Sequence, residues 1–299
     1  LSSQVVSALI ADEEATVLQA CEVIVRDAAW RRGELRDAGA VAPLVRLLIQ
    51  AGTAWSRMTA CGACTALARL AHGSRALQDD ICAAGAIAPL TRLLAPTPPR
   101  VPPDVAGGAA KGARSERLTL LACDALASVV TGNAANQSAA CDNAATVALV
   151  RLLQDGNTDA VRWQALTALM GLVANSDRGQ RAAVEAGAVV SLVSILNQGV
   201  ERKRYGMPDD LLPGVLGALA LLCHNQPAHQ DILRDADGIA LVVWVMRAYR
   251  GESASGGAAR KLVRQAVETL VVLVASNPAS QDAACVCGAV GLLVEVLRI

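Results

Sequence analysis

Apolar residues recur at three- and four-residue spacing along almost the whole chain, and the strictest recurrence falls around a corner of small residues. Residues 37 to 48 read DAGAVAPLVRLL, residues 83 to 94 AAGAIAPLTRLL and residues 185 to 196 EAGAVVSLVSIL. Such spacing marks amphipathic helix, not strand. Three helices are predicted around each corner: a short one before it, as in QDDICAAG at 78 to 85, an APLVRLL-type helix after it, and a longer third, as in CGACTALARLAHG at 61 to 73. A duplicated active site would repeat its polar residues. What repeats here is small and apolar, which points to a packing unit.

With Gly39 as the marker, the equivalent corners are Gly85, Ala144, Gly187, Asp237 and Gly288, spaced 46, 59, 43, 50 and 51 residues apart. A basal unit near 43 therefore carries insertions, and a period of roughly 40 to 47 belongs to helical solenoids. The third helices are expected to close at Gly73, Gly132, Asn175 and Asn225, residues that accept the left-handed conformation. Seven residues before the corners stand Gln78, Gln137, Gln180, Gln230 and Gln281, with Arg32 the exception. The expectation is that this column satisfies a free backbone amide at the start of each first helix. VVSALI and TVLQACEVIVRD resemble the second and third helices of an earlier incomplete unit, and the sixth unit stops at LVEVLRI. Residues 1–299 thus predict one domain of about six repeats with incomplete first and last units. Neither end has the polar outer face that caps a solenoid, so either more repeats or another molecule is expected against the ends.

Composition narrows the function. Lys+Arg and Asp+Glu are equal at 27 each, which argues against binding nucleic acid mainly through its phosphates. Phe is absent and aromatics make up 2% of the chain, so the core must come from Leu, Val, Ala and Cys. Mean hydropathy is +0.38, yet apolar runs such as LPGVLGALALLC at 212 to 223 fall short of the roughly 18 residues of a membrane span. The start, LSSQVVSALIADEEATV, lacks the basic region of a signal peptide.

On the AGAV and AGAI corners at 38 to 41, 84 to 87 and 186 to 189, the LVRLL and LVSIL helices after them and the long third helix, the chain resembles the armadillo repeat family. The resemblance covers essentially the whole chain, and the Asp237 unit, DADGIALVVWVM, departs from it most. It implies an all-α, right-handed superhelical solenoid of three-helix repeats. Its third helices would line a concave groove that holds an extended partner peptide.

Importin-alpha-like members of that family place Trp and, one turn later, Asn along the groove. The matching positions here are Glu22, Thr65, Asp124, Thr167, Gly217 and Glu268, then Arg26, Arg69, Ser128, Gly171, Leu221 and Val272. None is Trp or Asn, so a receptor for classical nuclear localisation signals is not expected, nor is the Lys- and Arg-lined groove of catenin-like members. The columns run from charged and polar at the N-terminal end to small and apolar after Gly171. Either the region around Trp163, Gly171, Leu221 and Val272 takes an apolar anchor from a partner, or a register shift of one residue places core positions there.

Trp244 stands in a second-helix column otherwise occupied by Arg46, Arg92, Arg151, Ser194 and Glu295. It is therefore either an exposed interface anchor or covered by a neighbouring loop. Long loops rich in Pro, Gly and Ser are predicted between second and third helices at 95–117, 197–210 and 249–261. They carry Arg100, Lys111 and Arg114, then Arg202, Lys203 and Arg204, then Arg250, Arg260 and Lys261. This edge either meets an acidic partner or anionic lipid or is solvated loop charge.

The nine cysteines include CGAC at 61 to 64 and CVC at 285 to 287. Cys64, however, shares a column with Cys21, Cys123, Leu166, Leu216 and Val267, so these read as small core residues of a reducing compartment. Neither a metal site nor a cofactor is expected. His72 and His224 fall at third-helix ends and His229 at a first-helix start. GGAAKGARS at 107 to 115 lacks the order of a phosphate-binding loop. The expected function is a non-catalytic cytoplasmic scaffold, with the nucleus as a second location. It would bind other proteins through peptide-like segments, with no specific nucleic acid partner and with membranes met only indirectly. Among armadillo proteins the alternatives are the substrate-recruiting region of a larger ubiquitin ligase and a membrane-tethered organiser.

Overall fold

The computed structural model describes residues 2–11, 13–51, 54–95, 108–154, 157–204, 211–252 and 257–296. Those residues are helical, with no strand among them. The chain opens with α1 (Ser2–Ala8) and α2 (Glu14–Asp37), followed by α3 (Val41–Ile49) and α4 (Ala54–Ala71). Complete triplets follow: α5 (Arg75–Ala83), α6 (Ile87–Leu93) and α7 (Gly108–Val130); α8 (Ala134–Asp142), α9 (Ala145–Leu153) and α10 (Asp159–Val173). Next come α11 (Asp177–Glu185), α12 (Ala188–Arg204) and α13 (Leu212–Cys223), then α14 (Pro227–Asp235), α15 (Gly238–Tyr249) and α16 (Gly257–Val274). The last are α17 (Pro278–Val286) and α18 (Ala289–Val296), which meet at a bend of 75°.

The left-handed residues explain the register. Gly39, Gly85, Gly187 and Gly288 turn the corners with φ between 78° and 86°, and Ala144 and Asp237 hold the same region at 56° and 60°. Five more close the third helices: Gly73, Gly132, Asn175, Asn225 and, unforeseen from its type, Ser276. A side chain in this region costs roughly 1–2 kcal/mol. Ala144 and Ser276 therefore adopt it because the repeat requires it, not by local preference.

The first unit departs from this scheme. Arg26 stands thirteen residues before Gly39, whereas the later members of its column stand sixteen before their corners. The missing residues are those of the closing turn. Third and first helices consequently run together as α2, broken only at Arg31 (φ −118°, ψ 20°).

The predicted loops are shorter than expected because helix invades them. Residues 108–117 belong to α7, 197–204 to α12 and 257–261 to α16, while Arg250–Glu252 form a 3-10 turn. Lys and Arg have good helix propensity, and each of these stretches extends a helix already nucleated by packing. Arg100 and the side chains of Lys111 and Arg114 lie outside the described residues.

Two compact units emerge, one of residues 1–152 and 167–179, the other of residues 153–166 and 180–299. Within the first, α4 packs between α2 and α7, and within the second α13 packs on α16. Equivalent leucines build both cores: Leu44, Leu90 and Leu149 on second helices and Leu67 and Leu126 on third helices are fully buried in the first, as are Leu192 and Leu219 in the second. Each such burial contributes about 1.5–3 kcal/mol. Cys21, Cys64 and Cys123 fill the narrow gap between third helices. A Cβ on Gly62 would stand 3.2 Å from the Cys21 Sγ, so little larger would fit.

Candidate functional site

The site begins with the glutamine column, which acts on carbonyls and not on the amides expected. Gln78 donates to the carbonyls of Ser128 (2.9 Å) and Thr131 (3.1 Å), and Gln137 to those of Gly171 and Ala174 (both 2.9 Å). Gln180 reaches the carbonyl of Leu221 (2.8 Å), and Gln230 that of Val272 (2.9 Å). Each glutamine on a first helix thus closes the C-terminal end of its own repeat's third helix, where carbonyls lack an intrahelical amide. Arg32, the exception by residue type, does the same work by donating to the carbonyl of Arg69 (3.3 Å). Gln281 bonds instead to Val274 of the helix before it.

The acceptors are the backbone groups of the second groove column: Arg69, Ser128, Gly171, Leu221 and Val272. Their carbonyls are committed, so a ligand meets their side chains alone. Glu22, Arg26, Arg69, Thr167 and Glu268 are exposed, and Thr65, Asp124, Ser128, Gly217, Leu221 and Val272 half-buried. Gly171 is buried, contrary to its expected place in an apolar groove. A Cβ there would stand 2.4 Å from the Thr131 Oγ1, because the neighbouring third helix closes over it.

In the first unit this face is polar and partly self-satisfied. Arg26 binds Asp27 at 2.8 Å, and the Thr65 hydroxyl donates to the carbonyl of Cys61 at 3.0 Å. The Arg26 guanidinium holds the Asp27 carboxyl below its usual range, with Arg31 adding to the effect. In the second unit the face is apolar apart from the exposed Glu268, which faces Arg264 one turn before it. Trp163 is 44% exposed and lies over α13 at Gly214, where an added Cβ would come within 3.2 Å of its ring. Val271, 58% exposed beside Val272, belongs to the same surface and was missed. The doublet VV at 271–272 was its signal, obscured because helical spacing assigns one of two adjacent valines to the core.

The basic edge is not the free surface that loop composition suggested. Arg202 makes a paired contact with Asp159 (2.7 and 3.2 Å), Lys203 sits 4.4 Å over the Tyr249 ring, and Arg204 binds Glu201 and lies 5.7 Å over Trp244. Trp244 is half-buried, covered from the end of α12. The Asp159 carboxyl is held low chiefly by its hydrogen bond from Arg202. Arg260 and Lys261, at the start of α16, remain exposed.

All nine cysteines are free. Burial pushes the thiols of Cys21, Cys123 and Cys223 up to about 12, and Cys64 higher still, so they stay protonated. His229 is buried and donates from Nδ1 to the carbonyl of Leu222 at 2.7 Å, bracing a helix end.

No family model and no curated protein matches the chain. Solved structures do. A designed armadillo repeat protein in complex with the peptide (KR)4 superposes with a TM-score of 0.70 at 21% identity, over 89% of this chain and 98% of its own. Computationally designed armadillo repeat proteins for modular peptide recognition give 0.69 at 23% identity, over 90% of this chain and 99% of theirs.

The fold is the armadillo repeat.

An engineered protein from a structural genomics programme gives 0.72 at 22% identity over 92% of this chain and 97% of its own. At such identities the likeness establishes the all-α armadillo-like repeat fold alone. Loop and side-chain chemistry are this chain's own.

Proposed function

We propose that the protein is a non-catalytic scaffold that binds extended segments of partner proteins along its third helices. The observation that carries this is, within each compact unit, the accessible face formed by equivalent positions of its third helices. In the first unit it is polar at Glu22, Arg26, Thr65, Arg69, Asp124, Ser128 and Thr167; in the second it is apolar at Trp163, Gly217, Leu221, Val271 and Val272, beside the exposed Glu268. Carbonyl satisfaction by the glutamine column makes that face rigid before a ligand arrives, which reduces the ordering cost of binding. The related designed proteins include one in complex with a peptide and others made for modular peptide recognition. The basic (KR)4 peptide of that complex is not the ligand expected here, because the face in the first unit carries both signs of charge and that in the second is mostly apolar. Partner segments with an aliphatic or aromatic anchor suit Trp163, Leu221 and Val272. Nine unpaired cysteines favour a reducing compartment such as the cytoplasm.

The test is selection of binding peptides from a random displayed library, followed by anisotropy titration against Leu221→Arg and Val272→Arg. Selected peptides should share an apolar anchor and lose about ten-fold or more in affinity to either variant, with the circular dichroism unchanged. Peptides that bind wild type and both variants equally would remove the third-helix face as the site.

A further inference from the structure

We propose that the cleft between α6 and α9, on the second helices and away from the third-helix face, is a separate docking surface for an acidic segment of a partner protein. The cleft encloses about 530 Å³, within the roughly 300–1,000 Å³ of ligand-sized pockets. Ala88, Ala144 and Val147 form its apolar lining, and Arg92 and Arg151 stand at its edge. Val147 is 38% exposed and both arginines are exposed.

Two observations select an acidic occupant with an aliphatic side chain. First, the acids of the flanking first helices are already engaged across repeats: Arg36 pairs with Asp80, and Arg178 with Asp142. Among the described residues no carboxylate pairs with Arg92, or with Arg46 in the same column on α3. Arg151 also interacts within the chain, so Arg92 is the principal anchor. Second, the lining between the charges is alanine and valine. A bare anion would leave that lining wet, whereas a leucine-sized side chain between two carboxylates would cover it.

The probe is a fluorescein-labelled heptapeptide, GEELEEG, titrated by anisotropy at low salt against GQQLQQG and GEEGEEG. GEELEEG should bind best, weaken as salt rises, and lose about ten-fold or more in affinity to Arg92→Glu. Val147→Lys, at an exposed position, should weaken it without disturbing the fold. Leu221→Arg should leave it unchanged, which separates this surface from the third-helix reading. The proposal is overturned if GQQLQQG binds equally, if Arg92→Glu and Val147→Lys have no effect, or if only a phosphoserine peptide or inorganic phosphate binds.

Discussion

Replacing Gln137 by Met tests whether the first and third helices of a repeat are held in register by side-chain bonds to helix ends. The substitution keeps length and volume while removing both donors. Gln137 is 2% exposed and its Nε2 donates to the carbonyls of Gly171 and Ala174. Two net hydrogen bonds at about 0.5–1.5 kcal/mol each, with carbonyls left in a poorly hydrated site, put the loss at about 2–3 kcal/mol. Gln281→Met is the internal control, since that side chain is exposed and bonds only to Val274 of the preceding helix. Its cost should stay within about 0.5 kcal/mol. Urea denaturation followed at 222 nm gives both values, and hydrogen exchange should quicken at the amides of Ala174 and Ser176, which lie at the end of α10. A loss for Gln137→Met no larger than that of the control would refute the reasoning: packing alone would then set the register.

Ala144→Gly should be neutral or stabilising by up to about 1 kcal/mol, since Ala144 holds φ 56°, while Gly85→Ala, at φ 78°, should destabilise by about 1–2 kcal/mol; paired urea melts decide. Asp159 titrates below its ordinary value of 3.8 because Arg202 binds it. Its contribution is therefore present above that value and lost as pH falls through the lower folded pKa. Arg202→Gln should move the Asp159 carboxyl resonance midpoint upward in an NMR titration; no movement would show that the ion pair does not persist in solution. Under native conditions a thiol reagent should modify exposed Cys285 first, and should leave Cys21, Cys64, Cys123 and Cys223 untouched until denaturant is added. Rapid native labelling of the buried four would mean that the third-helix cores open readily.

Repetition made the fold legible. The helical spacing, the corner glycines and the left-handed stops at Gly73, Gly132, Asn175 and Asn225 are local properties of residue type, and they recur often enough to overcome noise in any one unit. The columns were legible too, because equal sequence spacing means equal position in a repeat. That is how Leu221 and Val272 were placed on an accessible face and Cys64 in a core. Ser276 was not legible: serine has little preference for positive φ, and the packing of α16 and α17 imposes it.

Partnership across repeats was decided only by tertiary structure. The glutamine column was visible, but whether it served an amide of its own helix or a carbonyl of the same repeat's third helix depends on where that third helix packs. Arg32 looked like an exception because the column was read by residue type, while its long side chain reaches the same carbonyl. Arg202, Lys203 and Arg204 read as loop charge by composition. Once α12 extended through them, they met Asp159, Tyr249, Glu201 and Trp244. Gly171 carried no mark of the Thr131 side chain that closes over it. Sequence determined what each repeat is, since backbone preference and hydrophobic spacing act over a few residues. Which polar groups remain for a partner was settled by contacts between residues some 30 to 60 positions apart, and chain spacing does not encode those distances.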